Sequence, residues 1–263
     1  MAESPKLRVT LVQQPLVWHD AAANRAHFDA LLAPLVGNTD VIVLPEMFTT
    51  GFSMEVEQFA EEAGGPTSDW LKRKARELRA AITGSVMTKD HGHFHNRMFW
   101  AEPDGSLRHY DKRHLFRMAN EHQRFTPGDA PLTVTWRGFR ICLQVCYDLR
   151  FPVFSRRRPE LEYDLLIYAA NWPAPRRQAW QALLKARAIE NLSFVVGVNR
   201  VGTDGKDLSY AGDSVVHDFL GEPLAQLGAE AAVITVELDL AGLRAFRDRF
   251  PAHLDADRFT LET

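Results

Sequence analysis

The chain has 263 residues, of which 46% are hydrophobic, and its 31 basic against 34 acidic side chains leave a formal net charge of -3. This length and apolar content can bury a substantial core, while the near balance of charge offers no general attraction for nucleic acid or anionic lipid, so we expect neither partner. Residues 1–7 carry charge and proline where a signal peptide would need an apolar stretch, and no apolar run is long enough to span a membrane. We therefore expect a soluble protein with a single domain over residues 1–263.

The alternation of apolar runs with amphipathic stretches is typical of a layered α/β domain. In chain order, the predicted strands are residues 7–14, 41–44, 81–87, 94–101, 132–136, 139–146, 163–169, 194–199, 212–218 and 232–238. The predicted helices begin with Asn24 as N-cap, begin again at Thr67 or Ser68 and run to Leu78, and then cover residues 151–157, 179–189 and 240–246.

Turn signals subdivide this order. Pro103-Asp104-Gly105 and Arg137-Gly138 each predict a hairpin, and the turn at residues 220–223 is flanked by the last two predicted strands. Because strands outnumber helices and hairpins interrupt the alternation, the pattern favours two sheets packed face to face with helices outside. The expected fold is therefore a four-layer α-β-β-α sandwich.

Two cysteines, Cys142 and Cys146, lie on the same predicted strand. Their spacing separates the α-carbons by roughly 13 Å in an extended chain, which is too far for a disulfide. We expect two free thiols, which suits a reducing compartment such as the cytoplasm. Cys142 lies inside the strand and is best explained as a small buried hydrophobe, whereas Cys146 stands where the strand turns polar, the end at which α/β folds hold reactive groups.

Two charged residues occupy similar boundaries. Glu46 follows the apolar run Val-Ile-Val-Leu-Pro, and Lys112 follows another strand in Tyr-Asp-Lys-Arg-His-Leu-Phe. Taken singly, Glu46 could pair with a neighbour and Lys112 could be a solvated loop charge. Together with Cys-Tyr-Asp-Leu-Arg-Phe at residues 146–151, however, these segments resemble in order and spacing the Glu, Lys and Cys signatures of the nitrilase superfamily. The resemblance extends from Gln13 to Asn191 and is closest to the omega-amidase branch.

The chemistry explains these residue types. An amide carbonyl is a poor electrophile, so Cys146 needs a base to generate its thiolate, and Glu46 is the candidate. Lys112 and the backbone N–H of Tyr147 would stabilise the resulting oxyanion, and neither a metal nor a cofactor is needed. The resemblance further implies a second glutamate that holds the lysine. Glu121 fits by position, although a surface carboxylate is an equal alternative.

The resemblance to omega-amidases also implies a substrate. It would be a small dicarboxylic monoamide such as α-ketoglutaramate or α-ketosuccinamate, whose free carboxylate needs a cation. Arg150 is the nearest candidate, with pairing to Asp148 or another acid as the alternative. Trp172 and Phe116 could form walls of the pocket or belong to the core. A homodimer is implied by the same resemblance.

Some features of the sequence bear on other functions. His91, His93 and His95 alternate on one strand face and raise a metal-binding hypothesis, but such histidines more often form a solvated face. The chain has no Gly-x-Ser-x-Gly elbow and no Gly-rich phosphate loop, which disfavours a serine hydrolase or a nucleotide enzyme. A nitrilase, a carbamoylase, an amide-forming acyl transferase and a catalytically silent interaction protein remain as alternatives.

Overall fold

A computed structural model describes residues 5–261. Residues 1–4, part of the segment in which we expect no signal peptide, lie outside that range. The strands are β1 (Lys6–Gln13), β2 (Val41–Val43), β3 (Glu61–Glu62), β4 (Ala81–Asp90), β5 (His93–Ala101), β6 (Leu107–Asp111), β7 (Leu132–Trp136), β8 (Phe139–Val145), β9 (Leu165–Ala170), β10 (Phe194–Asn199), β11 (Val201–Thr203), β12 (Ser209–Ala211), β13 (Val215–His217), β14 (Pro223–Gln226) and β15 (Ala232–Asp239). The helices are α1 (Ala21–Leu32), α2 (Val56–Phe59), α3 (Pro66–Leu78), α4 (Glu121–Arg124), α5 (Pro152–Ser155), α6 (Arg177–Asn191) and α7 (Leu240–Arg249).

Most strands belong to one of two sheets. The first has the order β15-β1-β2-β4-β5-β6, with β3 beside β4, and the second has the order β14-β13-β10-β9-β8-β7. The central strands β1, β2 and β4 are parallel, as are β8, β9 and β10, and antiparallel strands flank both sets. Each sheet therefore collects the carboxyl ends of its central strands at one edge, which is where this class of fold holds its ligands.

The apolar strands are buried on both faces. In β2, Val41 and Val43 belong to the core between the two sheets, while Ile42 faces the layer that contains α1 and α3. On the far side, α6 packs so closely on β10 that a Cβ added at Gly197 would lie 2.5 Å from a methyl carbon of Leu184. This layering confirms the predicted α-β-β-α sandwich. Within residues 5–261, no helix has the length and apolar character needed to cross a membrane.

Both predicted helix caps were wrong. The N-cap of α1 is Asp20, whose carboxylate accepts from the Ala23 N–H at 2.8 Å, whereas Asn24 lies inside the first turn and is buried. The Asn24 amide instead donates to the carbonyls of Val17 and Thr49, both at 2.7 Å, because it faces the protein interior. These bonds tie the preceding loop to the segment after β2.

The second predicted helix is α3 of the structure, and it starts with Pro66 directly after Gly65 rather than at Thr67 or Ser68. The N–H of Thr67, which has no acceptor within the helix, donates to the Glu61 carboxylate at 2.6 Å, so a side chain from β3 caps this helix from outside. Glu61 lies five residues before the helix begins, so it is not recognised as a cap from the sequence. The usual capping pattern is a Ser, Thr, Asp or Asn at the helix boundary itself.

The chain does not pair its last two predicted strands around the turn at residues 220–223. In the structure β13 pairs with the short strand β14, and β15 crosses to the first sheet, where it runs antiparallel to β1 along its whole length. Turn residues predict that the chain reverses, but the sheet that accepts the next strand depends on long-range packing. The predicted helix over residues 151–157 is the single turn α5.

Candidate active site

Four functional groups meet where strands of the two sheets end. Glu46 follows β2, Lys112 follows β6, Cys146 follows β8, and Glu121 is the first residue of α4. Glu46 and Glu121 are fully buried, and Lys112 and Cys146 are 1% and 8% exposed. Groups that are distant in sequence are therefore neighbours, because the two sheets place their strand ends at a common edge.

Lys112 lies between the two carboxylates. Its Nζ is 2.9 Å from Glu46 Oε1 and within 3.0 Å of both carboxylate oxygens of Glu121. Burial alone lowers the pKa of this ammonium, but the charges of Glu121 and Glu46 outweigh that effect and raise the pKa above its ordinary value. Lys112 is therefore a charged ammonium held by two acids. We refer to Glu46, Lys112 and Glu121 as the buried charge cluster.

The structure places Glu121 in this cluster and not at the surface. Its carboxylate also accepts from the Phe116 N–H at 2.6 Å, so it fixes the segment between Lys112 and α4. Burial raises the pKa of Glu121, and the Lys112 charge opposes that rise. The alternative of a surface carboxylate is wrong, because Glu121 is buried. The polar residues around it suggested a solvated loop, but only neighbours such as Asn120 and Gln123 are exposed.

Two asparagines that hydrogen-bond to the buried charge cluster were missed from the sequence. Asn96 donates through Nδ2 to Glu46 at 2.8 Å and to Glu121 at 3.1 Å, and the Asn171 N–H donates to the other Glu46 oxygen at 2.8 Å. Asn171 also donates from its side chain to the Glu46 carbonyl. The signal for Asn171 was its position directly after the buried strand β9. Asn96 lies within β5, and a polar residue there is equally consistent with a solvated face.

Cys146 occupies a strained turn. It is the first residue of a 3-10 helix over Cys146–Arg150, and its φ of 47° is in the left-handed region that residues other than glycine rarely adopt. Burial raises the pKa of its thiol well above the ordinary value, the Glu46 charge adds to this, and the Lys112 charge opposes it. The resting thiol is therefore protonated near neutral pH. Tyr147, next in the chain, has its N–H in the first turn of the helix, where such groups lack a helical acceptor.

A buried carboxylate, Asp148, joins the turn of the cysteine to the segment of the lysine. It accepts from the Val145 N–H at 2.9 Å and from the Tyr110 hydroxyl at 2.7 Å. It is also 2.9 Å from the His114 backbone nitrogen and 2.8 Å from the His114 ring Nδ1. Since Cys146 lies between Val145 and Asp148, and Lys112 lies between Tyr110 and His114, this carboxylate connects the backbone segments that carry both groups.

A cavity of about 120 Å³ opens beside Cys146 and Lys112. At roughly 10–15 Å³ for each water-sized group, it has room for roughly ten non-hydrogen atoms. Its walls include four residues expected from the sequence, namely Phe116, Tyr147, Arg150 and Trp172.

Arg150 does not pair with Asp148, whose oxygens are occupied as described above. Its guanidinium carbon lies 5.1 Å from the centroid of the Trp172 ring, a distance at which a cation is attracted to an aromatic face. The Trp172 indole N–H donates to the Arg176 carbonyl at 2.8 Å, which fixes the ring. Arg150 therefore reaches the cavity with its guanidinium supported by an aromatic wall.

The histidines of the β4–β5 hairpin do not form a shared site. The ring centroids of His93 and His95 are 6.5 Å apart, and His95 Nδ1 contacts the Thr126 carbonyl at 3.1 Å. Across residues 5–261 there is no group of three His, Cys, Asp or Glu side chains that could hold a metal ion.

Comparisons with known proteins agree with this geometry. Residues 8–248 match the family model described as carbon-nitrogen hydrolase, and the chain belongs to that family. The resemblance to the nitrilase superfamily is thus confirmed, and the protein is an enzyme that acts on carbon–nitrogen bonds.

Particular relatives narrow the class. The chain is 51% identical over 98% of its length to "Omega-amidase YafV" of Escherichia coli (strain K12), covering 99% of that protein. It is 34% identical over 83% of its length to "2-oxoglutaramate amidase" of Bacillus subtilis (strain 168), covering 85% of that protein. Among solved structures, XC1258 from Xanthomonas campestris, a CN-hydrolase superfamily protein with an arsenic adduct in its active site, is similar with a TM-score of 0.96 and 52% identity, covering 98% of this chain and 99% of that one.

Proposed function

We propose that the protein is an omega-amidase, which hydrolyses the terminal amide of small dicarboxylic monoamides such as α-ketoglutaramate or α-ketosuccinamate to the acid and ammonia. One observation carries the proposal: Cys146 and Lys112, the latter bound to Glu46, line a small cavity whose entrance holds the Arg150 guanidinium. The omega-amidase and 2-oxoglutaramate amidase relatives support the same substrate class.

In the proposed acylation step, Cys146 Sγ attacks the amide carbonyl carbon while Glu46 accepts the thiol proton. The negative charge that develops on the carbonyl oxygen is stabilised by the Lys112 ammonium and the Tyr147 N–H. The carbon–nitrogen bond then breaks, the leaving nitrogen takes the proton from Glu46, and ammonia departs. A thioester between Cys146 and the substrate acyl group remains.

In the deacylation step, water attacks the thioester carbonyl and Glu46 accepts a proton from that water. The carbon–sulfur bond breaks, the acid is released, and the sulfur regains the proton held by Glu46. Glu46 thus acts as a base and then as an acid in each of the two steps. Its held orientation supports this role, since the Asn96 amide and the Asn171 N–H each donate to one of its carboxylate oxygens.

The shape and charge of the cavity support a small anionic substrate. A volume of about 120 Å³ suits a monoamide of four or five carbons and not a peptide. Once the substrate amide is beside Cys146, its free carboxylate would reach the entrance and bind the Arg150 guanidinium, with Phe116 and Trp172 as apolar walls.

The test is an ammonia-release assay that compares α-ketoglutaramate, glutamine, a simple aliphatic nitrile and an N-carbamoyl amino acid at equal concentrations. We expect α-ketoglutaramate to have the highest kcat/KM. A preference for the nitrile or for the carbamoyl compound would instead assign the protein to the corresponding branch of the family and contradict the proposal.

We further propose that the enzyme works in the cytoplasm as a homodimer. The two free thiols support a reducing compartment. Val153 on α5 and Ile189 on α6 are 52% and 45% exposed, and helices near the nucleophile that carry such apolar groups support a two-fold contact. Light scattering after size-exclusion chromatography would give twice the chain mass if the proposal is correct, and the mass of one chain if it is not.

A further inference from the structure

Three cations from distant parts of the chain surround the entrance of the cavity. Arg150 follows the nucleophile, Arg176 ends the 3-10 helix after β9, and Lys206 lies between β11 and β12, and all three line the same cavity. We refer to these three residues as the mouth cations. In the described part of the chain none of them forms an ion pair with a carboxylate.

Each mouth cation is supported by an aromatic ring instead of an acid. The Arg176 guanidinium carbon lies 5.2 Å from the Phe116 ring centroid, and Lys206 Nζ lies 5.9 Å from that of Trp18. Arg150 contacts Trp172 in the same manner. An aromatic face positions a cation without neutralising its charge, so the full positive charge remains available to a ligand.

The carboxylate beside them is already occupied. Asp204 also lines the cavity, but it is 8% exposed and its Oδ1 accepts from the N–H groups of Lys206 and Leu208 at 2.8 and 3.0 Å. Its Oδ2 accepts from the Tyr210 hydroxyl at 2.9 Å. These bonds fix the turn that carries Lys206 and give both oxygens of the carboxylate a partner within the protein.

The three cations outnumber the single Asp204 carboxylate, and the excess of positive charge at the entrance is unfavourable until an anion binds. One carboxylate needs one guanidinium, and the proposed function already assigns Arg150 to it. The additional charges on Arg176 and Lys206 would act on whatever substituent the substrate carries beside that carboxylate. An uncharged keto group is tolerated there, whereas an ammonium group is repelled.

We propose that Arg176, assisted by Lys206, is a specificity-determining residue that excludes α-amino amides such as glutamine and asparagine by charge repulsion. This inference rests on the proposed omega-amidase function and explains how that site would distinguish a keto acid monoamide from an abundant amino acid with the same terminal amide. Discrimination is placed at the entrance, several atoms away from the reacting carbonyl, so it acts on binding more than on the chemical step.

The experiment compares glutamine with glutaramate, the monoamide of glutaric acid, which has the same chain and carboxylate but no α-substituent. The ratio of their kcat/KM values isolates the effect of the ammonium group. It is measured by ammonia release for the unmodified enzyme, for Arg176→Gln, Arg176→Glu and Lys206→Glu, and for the control Arg244→Glu. Arg244 is exposed on α7 and does not line the cavity. Arg244→Glu changes the net charge of the protein by the same amount as Arg176→Glu and Lys206→Glu, and so controls for net charge alone.

We expect the glutamine-to-glutaramate ratio to rise about tenfold in Arg176→Glu and by a smaller factor in Arg176→Gln and Lys206→Glu, with no change in Arg244→Glu. The gain should shrink as salt is added, because the entrance is open to solvent. Hydrolysis of α-ketoglutaramate with an unaltered ratio in all three mouth variants would overturn this inference alone. Failure of the unmodified enzyme to hydrolyse any of these amides would overturn the proposed function and this inference with it.

Discussion

The buried charge cluster and the mouth cations are only a cavity apart, yet they hold their charges in opposite ways. In the cluster, Lys112 has two carboxylate partners and almost no contact with solvent. At the mouth, Arg150 and Arg176 rest on aromatic rings and remain open to water. Where water is excluded, charges interact strongly and hold the catalytic side chains in one arrangement. Exposed charges are screened by solvent and mainly change the affinity for a charged substrate. Substitutions in the cluster should therefore affect kcat, and substitutions at the mouth should affect KM and selectivity.

The largest effect is expected from Cys146→Ala. Removing the proposed nucleophile should reduce ammonia release from α-ketoglutaramate by about 10⁴-fold or more without changing the melting temperature appreciably. Cys142→Ala is the matched control, because Cys142 is fully buried inside β8 and its substitution leaves the site intact. Turnover close to normal in Cys146→Ala would remove the basis of the proposed mechanism.

Glu46→Gln should lower kcat by about 10³-fold, because an amide can neither accept the thiol proton nor activate water. Its amide nitrogen would also face the donor on either Asn96 or Asn171, because these two donors bond to different oxygens of the Glu46 carboxylate. Rapid-quench measurement of the acyl-enzyme should show no burst. A thioester burst of normal rate and amplitude would mean that another group is the base.

The positioning role of Asp148, which joins the segments of Cys146 and Lys112, can be tested with Asp148→Asn. The substituted amide cannot accept all the hydrogen bonds that Asp148 accepts, so the turn at Cys146 should shift relative to Lys112 and lower kcat about 10–100-fold with little change in KM. Asp164→Asn is the control, since Asp164 is a buried carboxylate that pairs with Arg140 and Arg247. Both variants should lose stability, but an equal loss of kcat in both would reduce Asp148 to a structural role.

At the mouth, Arg150→Gln should raise KM for α-ketoglutaramate about tenfold and leave kcat within about threefold. The hydrolysis of a neutral aliphatic amide, measured in parallel, should be unaffected because that substrate has no carboxylate to bind. An equal loss with the neutral amide would show that Arg150 supports the turn of the nucleophile and does not bind the carboxylate.

The smallest expected effect concerns the pH at which the Cys146 thiol is alkylated in the absence of substrate. Since the folded environment raises the pKa of Cys146, the thiolate fraction at any given pH is smaller than that of free cysteine, and alkylation by iodoacetamide should rise only at higher pH. The pKa of Cys142 is raised to about 12, so the Cys146→Ala variant should not be labelled. An inflection below that of free cysteine would indicate a resting thiolate.

Much of the fold followed from local patterns. The strand periods, the hairpin at Arg137-Gly138 and the excess of strands over helices predicted the α-β-β-α sandwich, which is confirmed. The errors occurred where a side chain acts at a distance: Glu61 caps α3 from another element, and Asn24 turns inward instead of capping α1. β15 joins the first sheet and not its neighbour in sequence because that sheet offers the open edge of β1.

The candidate site divides in the same way. Glu46, Lys112 and Cys146 could be proposed because the segments that carry them resemble, in order and spacing, the motifs of the nitrilase superfamily. Asn171 had only the weaker signal of its position directly after β9, and Asn96 and Asp148 had none of their own. Each of them acts by filling hydrogen-bonding positions that exist only after the sheets have packed.

The sequence by itself determined the layered fold, the family and the residue types that can form a thioester, because period and short motifs are local properties of the chain. Only the tertiary structure decided that Glu121 is buried against Lys112 and that three cations from separate loops share one entrance. Burial and the clustering of charge arise only when segments that are distant in sequence pack together, and local sequence patterns do not predict which segments do so.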